Sequence, residues 1–118
     1  MKKNFAIIGY GKMGKIYHKY LQKNNLKLLY IKNSSKQKTL NLIKKDKNLK
    51  NVKYLGKGKN YKELNTIIIT TPIKNHLTAI KNCINLNKNI IIEKPIFYQQ
   101  NLSYKKSLSL CEKIFNYK

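Results

Sequence analysis

Phe5-Ala6-Ile7-Ile8-Gly9-Tyr10-Gly11-Lys12-Met13-Gly14 is the stretch that decides how the chain folds. A short apolar run of strand length enters a Gly-x-Gly-x-x-Gly turn, and a segment of helical period leaves it. Met13, Ile16, Tyr17, Tyr20 and Leu21 recur at i, i+3, i+4 and i+7, which predicts an amphipathic helix with those residues inward. Each glycine has a physical task in a strand–turn–helix of this kind. Gly9 permits the tight turn, and Gly11 lacks the side chain that would obstruct a pyrophosphate. Gly14 lets the helix pack closely on the strand. The N–H groups at the helix start, with the helix dipole, then favour an anion. The residues that would cradle it are Gly9, Tyr10, Gly11, Lys12, Met13 and Gly14.

Beyond this unit, apolar runs of strand length alternate with helical periods, the pattern of β-α-β units and a parallel sheet. Asn24-Asn25 ends the first helix, Leu26 to Ile31 reads as strand two, and Ser34-Ser35 caps a helix holding Leu40 and Ile43. Val52 to Leu55 is a short third strand at an edge, and Tyr61 to Leu64 makes one turn of helix. Thr66 to Thr70, with Ile67-Ile68-Ile69 at its centre, is a strand buried on both faces and closed by Pro72. A helix from about Lys74 to Asn87 turns Leu77, Ile80 and Ile84 inward. Asn89 to Glu93 is the fifth strand, again read as buried, and a last helix runs from about Leu102 to Phe115. The expected architecture is α/β: one doubly wound parallel sheet of about five strands, order 3-2-1-4-5, over residues 1–118 as a single domain.

Composition narrows the function classes. The net charge is +22, and all 26 basic residues are lysine. Arginine, which supplies the commonest bidentate contacts to guanine and phosphate, is absent, so a nucleic-acid role is disfavoured. Lysine, asparagine and isoleucine make up about half the chain, as AT-rich codons would produce. The positive field should still attract an anionic ligand. No apolar run approaches the roughly 18 residues of a membrane span, and no signal-peptide pattern opens the chain. Cys83 and Cys111 stand singly at apolar helix positions, as reduced core thiols would in a cytoplasmic protein. No metal site is expected.

The end of strand two decides how a dinucleotide's ribose is read. An acid about 20 residues past the glycines would bond a 2′-hydroxyl. This chain offers Lys32-Asn33-Ser34-Ser35-Lys36 instead, with no carboxylate before Asp46. Asn33, Ser34 and Lys36 suit a 2′-phosphate, which favours NADP over NAD while leaving both open. Thr70-Thr71-Pro72, His76 and Glu93-Lys94-Pro95 follow strands four and five, at the sheet edge where ligands bind. A partly buried lysine at a strand end can have a lowered pKa suited to taking a hydroxyl proton, so Lys94 is the candidate catalytic group. His76, at a helix start, serves equally as a cap or as a site residue. His18 is read as structural.

Three segments together, Ile8 to Gly14 with His18, Thr71-Pro72-Ile73-Lys74-Asn75-His76, and Ile91-Ile92-Glu93-Lys94-Pro95, give the whole chain a resemblance to a known family. It resembles the N-terminal Rossmann domain of the glucose–fructose oxidoreductase / inositol dehydrogenase family (Gfo/Idh/MocA). The resemblance implies that Lys94 sits beside nicotinamide and substrate hydroxyl, and that Thr71, Pro72 and Glu93 line the cofactor. It also implies that Pro95 can follow a cis bond. Family members carry a second domain that binds substrate and supplies a histidine and usually an acid, and the expectation is that this chain lacks that region. The expectation is thus an NAD(P)-binding domain of a sugar, cyclitol or nucleotide-sugar oxidoreductase, inactive or weak by itself. A fragment, one half of a split enzyme, and a free-standing module all remain open.

Two other readings compete. A dihydrodipicolinate reductase could share the loop Gly9 to Lys15, but its Gly-Thr-Thr-Gly-like loop is replaced here by Glu93-Lys94-Pro95. A non-catalytic nucleotide-binding or interaction module is the other. An apolar surface beside strand five and the last helix is expected to promote self-association or binding of a partner chain.

Overall fold

A computed structural model of the chain describes residues 3–56, 59–83, 86 and 88–92. The expected Glu93-Lys94-Pro95 motif, Ile84, the last helix and Cys111 lie outside the described residues. In chain order the elements are β1 (Asn4–Ile8), α1 (Lys12–Lys23), β2 (Lys27–Lys32), α2 (Lys36–Lys45), a 3-10 turn (Lys47–Leu49), β3 (Lys53–Tyr54), α3 (Lys59–Lys62), β4 (Thr66–Ile69), α4 (Ile73–Cys83) and β5 (Asn89–Ile92). The strands form one parallel sheet of order β3-β2-β1-β4-β5, as expected.

Alternation along the central strands divides the core into two layers, because successive side chains point to opposite faces. Phe5, Ile7 and Ile68 join Leu21, Leu28, Ile31 and Leu49 on one face. Ala6, Ile8, Ile67 and Ile69 join Tyr30, Leu55, Ala79, Ile80 and Cys83 on the other. Each fully buried isoleucine contributes roughly 1.5–3 kcal/mol by leaving water. Strand β2 breaks the alternation once. Phe5 pairs with Leu28 but Ala6 with Tyr30, so Leu29 is the extra residue of a bulge.

The elements end where local chemistry dictates. Asn24 closes α1, and Asn25 takes the left-handed conformation at φ 57°. Ser35 caps α2 by accepting from the Lys38 N–H at 3.1 Å. Fully buried Thr39 reinforces that start: its hydroxyl donates to Ser35 O and accepts from the Asn33 N–H.

Three inward faces differ from the expectation. On α1 the buried residues are Gly14, His18 and Leu21, with Tyr17 half-buried; Met13, Ile16 and Tyr20 are exposed. The helix is rotated by roughly a quarter turn from its apolar stripe. Gly14 and the satisfied polar pair of His18 take the sheet-facing arc instead. On α2, Thr39 is buried while Leu40 is exposed, with Leu42 and Ile43 half-buried. On β5, Ile90 and Ile92 are half-buried and Ile91 is 41% exposed, so the strand is not covered on both faces by the described residues.

Candidate functional site

The site is built on the carboxyl ends of β1, β2 and β4, where the chain leaves the sheet. Gly9 turns the chain at φ +93°, which L side chains rarely adopt. A Cβ there would stand 2.6 Å from Thr71 N and 2.8 Å from Thr70 C. The close approach has a purpose in the hydrogen bonding. Gly9 N–H donates to Lys32 O at 2.7 Å, and the Thr70 hydroxyl donates to Gly9 O at 2.7 Å. Three strand ends are thereby locked at one glycine. Gly14 packs behind the loop, its own missing Cβ facing Gly9 O at 3.0 Å.

Gly11 is different in kind. Among the described residues, no atom beyond its chain neighbours and its own helix backbone lies within 4 Å of the position its Cβ would occupy. The space in front of the helix is open to a ligand, and a larger side chain would fill it. The bond from Lys15 N–H to Gly11 O opens the helical ladder, so the Lys12, Met13 and Gly14 N–H groups have no acceptor within the helix. Those donors and the positive end of the helix dipole meet the same space.

A cleft of about 1030 Å³ runs along this edge. Its walls include Gly9, Tyr10, Gly11, Lys12, Met13, Asn33, Ser34, Thr70, Thr71, Pro72 and His76, so most of the residues expected from sequence are brought together. Lys36 does not line it. Its ammonium lies 5.8 Å over the ring of Tyr54 instead. Residues two apart on a helix point roughly 200° apart, and Lys38 therefore turns to the cleft. Sequence reasoning also missed Lys32 and the polar stripe Asn75, Thr78 and Asn82 on α4. That stripe was legible as the complement of the buried His76, Ala79, Ile80 and Cys83.

The charge in the cleft has one sign. Lys12, Lys32, Lys38 and Lys74 line it, with no carboxylate among the described lining residues. Thr71 Oγ1 is buried beside it without a hydrogen-bond partner among the described residues. An unmet buried hydroxyl costs free energy unless a ligand satisfies it. Asn33 has a structural task that the sequence did not show: its Oδ1 accepts from the Tyr10 N–H at 2.6 Å. His76 is buried, and its Nε2–H donates to Thr71 O at 2.8 Å.

Beneath the loop, Tyr10 and His18 are both buried, with the phenol oxygen 2.8 Å from Nδ1. Burial, and then the Asp46 carboxylate, push the Tyr10 phenol up to about 12. Burial pulls His18 below 6.5, with Asp46 opposing. Cys83 is a free buried thiol, as expected, raised to about 11 by burial, against the pull of Lys32. No group of three or more metal-ligating side chains clusters among the described residues, and none of their helices is long and apolar enough to cross a membrane.

Comparison with known proteins agrees with this geometry. Residues 3–113 match GFO_IDH_MocA, described as an oxidoreductase family with an NAD-binding Rossmann fold. UDP-N-acetylglucosamine 3-dehydrogenase GnnA from Acidithiobacillus ferrooxidans superposes at TM-score 0.69 and 14% identity, over 98% of this chain and 36% of that one. The WlbA dehydrogenase from Chromobacterium violaceum, solved with NADH and UDP-GlcNAcA, gives 0.70 at 16% identity, over 98% and 32%. GenD2 from gentamicin A biosynthesis, solved with NAD, gives 0.71 at 16%, also over 98% and 32%. The chain spans about a third of the length of these proteins. No curated protein sequence matches it. The chain belongs to the Gfo/Idh/MocA oxidoreductase family and carries its NAD-binding Rossmann fold. The dihydrodipicolinate reductase reading falls with that membership.

Proposed function

We propose that the cleft binds NADP in preference to NAD, as the cofactor domain of an oxidoreductase acting on a sugar, cyclitol or nucleotide-sugar CH–OH group. The observation that carries the preference is the lysine-lined wall at the end of β2, without a carboxylate among its described residues. A 2′-phosphate would meet Ser34 and Lys38, with Lys32 beneath. An NAD-specific ribose would need an acid that this edge does not offer. Two of the structural neighbours were solved with NAD or NADH, whereas the lysines at this edge favour the nucleotide that bears the extra phosphate.

In this reading the pyrophosphate occupies the open space at Gly11, held by the α1 N–H groups and Lys12. The nicotinamide end lies toward Thr71, whose hydroxyl, unpaired among the described residues, would gain a partner. Bound nicotinamide supplies the hydride acceptor or donor. The chain's own part in the reaction is proton handling by Lys94, which follows β5 in sequence and would take the substrate hydroxyl proton. Placing substrate against the cofactor can lower the barrier by as much as roughly 7–11 kcal/mol. Activity therefore calls for a substrate-binding region, on this polypeptide or on another. Exposed Ile91 on β5 is proposed as part of the surface such a region, or a second copy, would cover.

The test is a comparison of NADPH and NADH dissociation constants by nucleotide fluorescence. Joint replacement S34A/K38A should weaken NADPH about tenfold or more, the effect of losing charge-assisted hydrogen bonds. NADH should change by less than about threefold, within the same scale. Lys36→Ala should leave both unchanged. Parallel losses for the two nucleotides would overturn the NADP preference.

A further inference from the structure

Among the hydrogen bonds that hold the loop between Gly9 and Gly11 in the described residues, one differs from the rest. Gly9 N–H to Lys32 O, Thr70 Oγ1–H to Gly9 O, Gly11 N–H to Gly9 O and Tyr10 N–H to Asn33 Oδ1 join groups that do not titrate near neutrality. The one that differs joins the Tyr10 hydroxyl to His18 Nδ1 at 2.8 Å, with the rings edge to face at 66°. Tyr10 is thus pinned at its backbone from β2 and at its side-chain tip from α1.

We propose that His18 is a positioning residue for the dinucleotide site, holding the Gly9–Gly11 loop through the Tyr10 hydroxyl most firmly while its imidazole is neutral. The inference rests on the dinucleotide reading above. A phenol carries one hydrogen, and Tyr10 is 4% exposed. With neutral His18 in its Nε2–H tautomer, Nδ1 accepts that hydrogen and the pair is satisfied. A proton on Nδ1 turns the acceptor into a donor, and the phenol hydrogen must then find another partner inside the core. The groups that bear on His18 are Tyr10 from the loop and the Asp46 carboxylate after α2. Asp46 favours the cation and burial disfavours it; burial is the larger, so the neutral form persists below 6.5. In acid the phenol oxygen would accept from Nδ1–H, leaving the buried phenol hydrogen unpaired and loosening the peptide that faces the open space at Gly11.

The experiment follows NADP⁺ affinity by calorimetry from about pH 8 to pH 5, and hydrogen-exchange protection of residues 9–14 in the free protein over the same range. His18→Asn retains an acceptor on the same carbon without the titration, and Tyr10→Phe removes the donor. In wild type, affinity should fall about fivefold to tenfold on acidification beyond the change seen in His18→Asn, which shares the ligand's own titration. Loop protection should fall along the same curve, and in His18→Asn it should stay level. Tyr10→Phe has no hydroxyl for His18 to hold, so its loop protection should be low throughout and the acid transition should be lost. If wild type binds no NADP⁺ while loop protection still follows His18, the dinucleotide reading fails and the coupling stands. Wild-type protection that is level with pH, or an acid loss unchanged in Tyr10→Phe, would overturn the proposal.

Discussion

The two halves of the sheet each set a buried histidine against the loop that leaves it, and they use it in opposite ways. In the first half, His18 Nδ1 pairs with the Tyr10 hydroxyl and accepts from it in the Nε2–H tautomer. In the second, His76 donates from Nε2 to the Thr71 carbonyl. A donor to a carbonyl works in the neutral ε-tautomer and in the cation alike; an acceptor works only unprotonated. By the proposal above, His18 makes the Gly9–Gly11 loop responsive to acid. Residue type alone did not distinguish these roles. The partner atom did.

The largest effect should come from the point where the halves are joined. Gly9→Val forces a side chain into the Thr70–Thr71 backbone at a φ of +93°. Strain and overpacking together should cost about 3 kcal/mol or more in urea unfolding. A cost below about 1 kcal/mol would show that the two halves are not locked there.

Next is the shared core. Ile68→Ala, at a position 1% exposed on β4, should lose about 2–5 kcal/mol. Ile91→Ala, on the half-open β5, should lose distinctly less in the same unfolding measurement. Equal losses would mean that β5 is as enclosed as the centre of the sheet.

His18 supplies a smaller effect with a definite sign. Folding lowers the pKa of His18, so the unfolded chain binds more protons between that lowered value and 6.5. Stability should be held above 6.5 and lost as the pH falls from there toward the folded pKa. His18→Asn should flatten that slope, and an unchanged slope in that variant would contradict the comparison. The smallest effect is at the α2 cap, where Ser35→Ala should cost about 1 kcal/mol.

Much of this was legible in the sequence. Ile67-Ile68-Ile69 and Ile90-Ile91-Ile92 read as neighbouring strands, Gly9 to Gly14 as a strand–turn–helix, and Ser35 as a cap. Those signals are local, and the sheet order follows from right-handed crossovers. The rotation of α1 was not legible. Met13, Ile16 and Tyr20 extend the apolar arc too far round the helix to show which part faces the sheet. The deciding contacts, Gly14 on Gly9 O and His18 on Tyr10, are tertiary. Lys36 and Lys38 were likewise indistinguishable by composition. Only the helix phase sends one to Tyr54 and the other to the cleft.

The central claim is that the open space at Gly11 is a dinucleotide phosphate site. It is tested most directly by titrating NADPH into wild type and Gly11→Val while monitoring thermal unfolding of both. With no described atom beyond its chain neighbours and its own helix backbone within 4 Å of the Gly11 Cβ position, the substitution should leave the melting temperature nearly unchanged. Wild type should bind saturably, and Gly11→Val should lose the affinity by more than about 100-fold, the equivalent of roughly 2.7 kcal/mol. Equal binding by the two folded proteins, or none by wild type, would contradict the account.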